Sequence, residues 1–142
     1  MENWKDIPGY EGLYQVSNLG KIRSLDRLVN NQQNGIAQRL IKGRVLKSYS
    51  GGAGYLYVTI SINQIKKKYL VHRLVMLSFI GDKNLTVNHI NEVKTDNRLI
   101  NLEYCTQKDN CNKGTRNIKL SDLQKRINSE NLRKRNNRGY YI

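Results

Sequence analysis

The stretch Val87 to Gly114, VNHINEVKTDNRLINLEYCTQKDNCNKG, most constrains what this chain can fold into. It holds one histidine, His89, and six asparagines. His89 closes an apolar approach through Leu85 and Val87. Asn101 follows twelve residues later, and Asn110 nine beyond that. From Asn101 to Cys105, Leu102 and Tyr104 alternate with Glu103, which predicts a strand. Thr106-Gln107-Lys108-Asp109 has capping-box chemistry, with Thr106 at the N-cap and Asp109 at N3 of a short helix. Gly114 is a suitable stop for that helix. The segment therefore reads strand, loop, strand, short helix. Asn88 and His89 end the first strand, Asn101 begins the second, and Asn110 lies in the first turns of the helix.

Charge narrows the partner. Twenty-five Lys and Arg against 11 Asp and Glu leave a net charge of +14 on 142 residues, with a pI near 10.0. A small basic protein favours a polyanion, and nucleic acid is the commonest one. A ribosome-like or merely well-solvated basic protein is the plainer alternative. Membrane-surface binding is disfavoured, because no lysine-rich helix carries a broad apolar opposite face. No run reaches the roughly 18 apolar residues that span a bilayer. The start, MENWKDIPGY, lacks the basic head and apolar core of a signal peptide, so the chain reads as intracellular, without membrane contact. Cys105 and Cys111 form no CxxC pair and have no second pair to complete a zinc site. Both are expected to be free thiols used in packing.

Before the central stretch, Pro8-Gly9 signals a turn. Leu13–Val16 and Lys21–Leu25 are strand-like, joined by Ser17-Asn18-Leu19-Gly20 with hairpin chemistry. Asp26 to Gly43 is polar and Asn/Gln-rich and reads as a long loop. Ser48 to Gly54 is a glycine-rich break. Leu56, Val58, Ile60 and Ile62 alternate with Tyr57, Thr59 and Ser61, predicting a half-buried strand. Asn63-Gln64 turns it into a second strand, Lys66 to Val71, whose lysines either protect an edge or meet phosphate. Leu70 to Ile80 switches to helical period, and Gly81 ends it. His72, at its start, is a rival for the catalytic histidine, but it is expected to cap or pack rather than touch DNA or the active site.

The pattern NHIN…DNRLINLEY…KDN, with its His…Asn…Asn spacing, resembles the HNH nuclease family, in particular the phage homing endonucleases. Trp4, IPGYEGLY and VSNLGKIRS resemble the nuclease-associated modular domain often found at the N-terminus of such enzymes. VHRLV with its short apolar run is a further feature of the class. The resemblance implies an α+β fold. A small antiparallel β module over 1–50 would precede an HNH ββα-metal (His-Me finger) core over 51–114, followed by a basic helical tail over 115–142.

It also implies a monomeric DNA endonuclease that hydrolyses a phosphodiester bond in double-stranded DNA, with a nick as product. His89 would be the general base, since an ordinary histidine pKa of about 6.5 leaves it largely neutral and basic. Asn88 and Asn110 would be oxygen ligands of one divalent cation, Mg²⁺ or Mn²⁺. Asn101 would hold the His89 loop by hydrogen bonds to backbone. Asp96 and Asn97 compete for supporting roles or simply shape the loop.

Many HNH nucleases have aspartate where this chain has Asn88. An amide attracts a cation more weakly than a carboxylate. Phosphate of the DNA is expected to supply the missing charge; the alternatives are Asp96 or Asp109 entering the site, or weak catalysis. DNA contacts are expected from Arg23, Arg44, Lys66, Lys67, Lys68 and Arg73. In the tail they would come from Lys113, Arg116, Lys119, Lys125, Arg126, Arg133, Lys134 and Arg135. From Lys113 on, nine basic residues face two acidic ones, which is half the net charge of the chain. Ser121 can cap a basic helix there, reaching to about Arg135, its apolar seam too thin for burial. The rival reading is a DNA-binding regulator that keeps the nuclease fold without its catalysis; a basic RNA-binding protein is a third.

Overall fold

The computed structural model describes residues 1–30, 38–112 and 121–129. The chain divides into two units, Met1–Cys105 and Thr106–Ile142. In the first, β1 (Trp4–Asp6), β2 (Tyr14–Ser17) and β3 (Ile22–Ser24) form an antiparallel sheet in that order. The expected hairpin joins β2 to β3, and Gly20 takes a left-handed φ of 81° in its turn. β1 carries too few apolar residues to announce itself. It is recruited by pairing Trp4 with Ser17 and Asp6 with Gln15.

The long loop expected over Asp26 to Gly43 contains a two-stranded ribbon instead. β4 (Arg27–Asn30) pairs with β5 (Gln38–Ile41), placing Leu28 opposite Leu40 and Val29 opposite Arg39. Each arm is only four residues long, so the alternation is lost against the polar run between them. The glycine-rich break likewise holds a short strand, β6 (Tyr49–Ser50), at one edge of a sheet.

β7 (Leu56–Ile62) and β8 (Ile65–Leu70) complete that sheet in the order β6-β7-β8. Ile62 pairs with Ile65, so Asn63 and Gln64 form a two-residue turn with φ of 48° and 66°. Positive φ at both positions is the mirror-image turn whose twist suits a hairpin. α1 (Val71–Ile80) follows directly and stops at Gly81, whose N–H donates to the carbonyls of Met76 and Leu77. β9 (Thr86–His89) and β10 (Leu102–Cys105) pair antiparallel, separated by a loop that ends in a single 3-10 turn, Leu99–Asn101. Asn101 thus ends the 3-10 turn rather than opening the strand.

One core serves the whole first unit. Ile7, Val16 and Ile22 from the N-terminal sheet pack with Val58, Ile60, Val71, Leu74 and Val75, and with Val87 and Leu102 of the last hairpin. The helix α1 lies at the centre, against β1, β2, β7, β8, β9 and β10. At about 25 cal/mol per Å² of apolar surface removed from water, a cluster of this kind is what holds such short strands together. Tyr14 adds a polar tie, donating from its hydroxyl to the Ser61 carbonyl at 2.8 Å.

The β2–β3 turn also touches the loop between β9 and β10. Leu99 N–H donates to the Asn18 carbonyl at 2.8 Å. A Cβ at Gly20 would meet the Cβ and carbonyl of Asn97 at 2.9 and 3.0 Å. In the second unit, α2 (Gln107–Asn112) carries the expected capping box. Asp109 N–H donates to Thr106 Oγ1 at 3.1 Å, and that hydroxyl donates to Asp109 Oδ2 at 2.7 Å. Residues 121–129 are helical and exposed. Gly114 and the remainder of the expected tail helix lie outside the described residues.

Gly20→Ala combines a left-handed φ with a backbone clash. It is expected to cost about 2–4 kcal/mol by chemical denaturation, whereas an alanine at Gly52, with open space around it, should cost well under half as much.

Candidate active site at the end of strand β9

The β9–β10 register sets Leu102 opposite His89, Glu103 opposite Asn88 and Tyr104 opposite Val87. Successive side chains leave a strand on opposite faces. His89 accordingly turns inward and is 5 % exposed, while Asn88 beside it is half-buried.

The imidazole has a defined partner. His89 Nε2–H donates to Asn97 Oδ1 at 3.0 Å. A carbonyl oxygen only accepts, so this bond fixes the tautomer and leaves Nδ1 as the basic nitrogen of the neutral ring. Asn97 is itself buried, and its Nδ2 has no hydrogen-bond partner among the described residues. An unmet buried donor costs about 1–3 kcal/mol. Hydrogen bonds on either side, from Asn101 Nδ2 to the Asp96 carbonyl and from Leu99 N–H to the Asn18 carbonyl, hold the backbone around Asn97, and the missing side chain at Gly20 leaves it room.

Asn101 organises the rest of the loop. Its Oδ1 accepts the Asn91 N–H at 3.0 Å, and its Nδ2 donates to Asn91 Oδ1 at 2.9 Å and to the Asp96 carbonyl at 2.8 Å. One buried amide thereby ties both ends of the 91–96 turn. Its own carbonyl accepts the Ile90 N–H, next to His89.

Two aromatic walls surround the imidazole. His72, on the first turn of α1, meets it edge to face, with ring centroids 5.1 Å apart and planes at 79°. Tyr55 lies 5.2 Å from His72 and 5.9 Å from His89. Lys94 reaches over Tyr55, its ammonium 4.9 Å from the ring centre, and donates to the Ala53 carbonyl. His72 packs, but it packs against His89, so it is in contact with the candidate site, the less favoured of the two expectations. Sequence reasoning missed Tyr55 altogether. It is one tyrosine of nine and carries no spacing signature.

On the half-exposed face, Asn88 Nδ2 donates to Glu103 Oε1 at 2.8 Å. That bond orients the amide and leaves Oδ1 as its acceptor atom. Asp96 and Asp109, the acids weighed for this site, are committed locally. Asp96 accepts from Arg98 Nε and Nη2 at 2.7 and 2.6 Å and from Asn91, and the Arg98 bonds hold its pKa down to about 2. Asp109 is engaged by Thr106 in the helix cap. Asn110 lies in α2, its N–H donating to the Thr106 carbonyl. Among the described residues no three His, Cys, Asp or Glu side chains gather as a metal cluster. The oxygen donor this face could offer a divalent cation is Asn88 Oδ1, a hard ligand.

The basic residues differ in freedom. Arg23 is engaged, its Nε and Nη2 donating to Gln15 Oε1 while its guanidinium lies 4.2 Å from the Trp4 ring centre. Arg23 and Arg44 line one open groove of about 610 Å³. Lys66, Lys67, Lys68, Arg73, Lys125 and Arg126 are exposed. Pairing with Thr59 and Ser61 puts Lys68 and Lys66 on the outer face of the sheet, whereas Lys67 pairs with buried Ile60 and starts from the inner face. The Lys68 ammonium stands over Tyr49 and Tyr57, which stack at 6.2 Å. Lys113, Arg116, Lys119, Arg133, Lys134 and Arg135 fall outside the described residues. Neither cysteine is in a disulfide; Cys105 is buried, its Sγ–H donating to the Thr86 carbonyl at 3.7 Å, whereas Cys111 is exposed rather than in the core.

Burial lowers the His72 pKa to about 4, with the neighbouring His89 and Arg73 adding smaller shifts in the same direction. A folded-state value below the unfolded 6.5 means that His72 is tolerated in full above pH 6.5 and destabilises as the pH falls towards 4. In denaturation at pH 7.5 and pH 4.5, His72→Phe should gain about 2–3 kcal/mol relative to the unsubstituted chain between the two conditions.

Residues 2–61 match the NUMOD4 motif and residues 69–111 match the HNH endonuclease family. The chain is 32 % identical over 133 residues to the DNA endonuclease I-HmuI of Bacillus phage SP01, covering 89 % of this chain and 68 % of that protein. It is 30 % identical over 141 residues to an uncharacterised HNH endonuclease, L247, of Acanthamoeba polyphaga mimivirus. That match takes in 93 % of this chain but only 31 % of the mimivirus protein. A solved structure of I-HmuI, described as DNA binding and cleavage by the HNH homing endonuclease, superposes with a TM-score of 0.62 at 29 % identity. It covers 87 % of this chain and 68 % of that one. The resemblance first carried by the histidine–asparagine spacing is thus matched in sequence and in fold, and the chain belongs to the HNH homing endonuclease family, enzymes that hydrolyse phosphodiester bonds in DNA.

Proposed function

We propose that this endonuclease is metal-dependent and nicks one strand of duplex DNA, acting as a monomer inside the cell. The observation that best supports this is the His89–Asn97 hydrogen bond, which leaves Nδ1 as the basic nitrogen. His89 takes the proton of the attacking water through that nitrogen. Asn97 holds the ring, and Asn101 holds the loop from which Asn97 projects. Asn88 and, by family resemblance, Asn110 would hold one divalent cation, Mg²⁺ or Mn²⁺, whose chemistry when bound is to neutralise the phosphate and assist the departing 3′ oxygen. His72 stays neutral near pH 7, so it sets no competing charge beside the base.

Residues 1–50 and the basic residues beyond 115 grip the duplex, while 51–114 perform hydrolysis. Lys66 and Lys68 share one face with Tyr49 and Tyr57, which supports reading them as phosphate contacts. The neutral side chain of Asn88 favours a second reading, a weakly active or inactive DNA-binding regulator. Nicking separates the two.

With supercoiled plasmid and Mg²⁺ or Mn²⁺, the chain is expected to yield open circles. His89→Ala should lower the rate about 10²–10⁴-fold while leaving duplex affinity unchanged. Binding with no open circles from the unsubstituted chain under any divalent cation selects the regulator. The lysines are separable by salt dependence. Lys66→Ala and Lys68→Ala should each reduce the slope of log affinity against log salt by about 0.9, and Lys67→Ala should leave it nearly unchanged.

A further inference from the structure

His72 is a buried titratable group that the proposed hydrolysis uses neither as acid nor as base. It sits on the first turn of α1, next to the fully buried Val71, and is 5 % exposed. Its Nδ1 is buried with no hydrogen-bond partner among the described residues. An aliphatic side chain would fill such a place without stranding a polar atom, so packing alone does not account for an imidazole there. What the ring does reach is the candidate base. Its centroid lies 5.1 Å from that of His89, with the planes at 79°, and Tyr55 stands 5.2 Å from His72 and 5.9 Å from His89. We propose that His72 and Tyr55 are positioning residues for His89, a pair of rings that fixes the plane in which its free Nδ1 points. This inference rests on the reading of His89 as the general base and deepens it.

The terminal torsion of a histidine is broad and roughly two-fold. The bond from Nε2–H to Asn97 Oδ1 selects one of the two orientations. It does not narrow the rocking of the ring about the line from Cγ to Nε2. Nδ1 lies off that line, so rocking swings the basic nitrogen sideways. A flat neighbour closes off that motion. Edge-to-face contact at 5.1 Å falls in the range where ring pairs attract and prefer a definite angle. Tyr55, tilted at 36° to His89, supplies the second ring. Both rings are firmly seated. His72 rides on the helix at the centre of the core. The Tyr55 carbonyl accepts the Gly51 N–H at 3.0 Å, and the Lys94 ammonium stands 4.9 Å from its ring centre while donating to the Ala53 carbonyl at 2.9 Å. Lys94 and Asn97 belong to the same loop, so the segment that supplies the hydrogen bond to His89 also clamps the second ring. A general base must meet its proton along one line, and a small misplacement is costly.

The test compares three substitutions in the full, untagged chain. His72→Phe keeps a flat ring and loses the nitrogens, whereas His72→Leu fills the place without a plane. Tyr55→Leu removes the second ring from a half-buried position, where the risk to folding is smaller. In plasmid nicking, both leucine variants should lower kcat about 10- to 100-fold with KM unchanged, and His72→Phe should stay within about threefold of the unsubstituted chain. The sequence has two histidines, so in either His72 variant the imidazole nitrogen-15 signals belong to His89 alone. Above the ordinary histidine pKa of about 6.5, His72→Phe should show one protonated and one unprotonated nitrogen, well separated. His72→Leu should bring the two signals towards each other. Nicking within about twofold of the unsubstituted chain by either leucine variant overturns the inference. So do signals that stay apart in His72→Leu, or a His72→Phe that loses as much kcat as His72→Leu. Melting curves follow all three, and if His72→Leu does not fold, Tyr55→Leu decides. If His89→Ala nicks at the unsubstituted rate, the reading of His89 as base falls by itself, and the nitrogen-15 signals still decide whether the rings set its plane.

Discussion

The bond between His89 Nε2 and Asn97 Oδ1 is the constraint on which the candidate site turns. An imidazole held at one nitrogen has one orientation and one free lone pair, and both matter for the base proposed at His89. The bond is only as fixed as Asn97, which sits in a loop with no regular ladder to hold it. Asn101 holds the turn before it, and the N-terminal module supplies the rest. Gly20 approaches its backbone so closely that no larger residue fits, and the Asn18 carbonyl takes the Leu99 N–H two residues on. The motif that looks like an appendage in sequence is, in space, the floor of the loop that orients the histidine.

The abundance of asparagine in that loop has a similar explanation. An amide offers both donors and an acceptor, so one side chain can satisfy two or three backbone and side-chain groups at once. Asn101 does this between Asn91 and Asp96. An aspartate at position 101 could accept the Asn91 N–H but could not donate to the Asp96 carbonyl. It would also bury a charge, which is costly without a paired cation. Structural and chemical roles are therefore distributed over residues of one type, and composition alone does not separate them.

Legibility followed from this. The β7–β8 hairpin, α1 with its glycine stop and the capping box of α2 were readable because each rests on local periodicity or on a short motif. β1, β4, β5 and β6 were not, since strands of two to four residues acquire their stability from partners distant in sequence. The same division runs through the site. His89 and Asn101 stood out by spacing and flanking residues. Glu103 was visible only as the polar member of an alternating strand, and its relation to Asn88 exists only through the β9–β10 register. Tyr55 and His72 meet His89 because α1 and β7 share a core with that hairpin, which no local window contains.

Charge completes the picture. In a chain with a net +14, the few acids are not spread as a solvated coat. Glu2 pairs with Lys21, Asp96 with Arg98, and Asp109 closes a helix end. Exposed pairs of this kind contribute little to stability, a median of about 0–1 kcal/mol. Their effect is local: each keeps a carboxylate engaged by a neighbouring group. At the β9 strand end the Glu103 carboxylate accepts from the Asn88 amide, so there too an acid is tied into the local hydrogen bonding rather than left as a solvated coat.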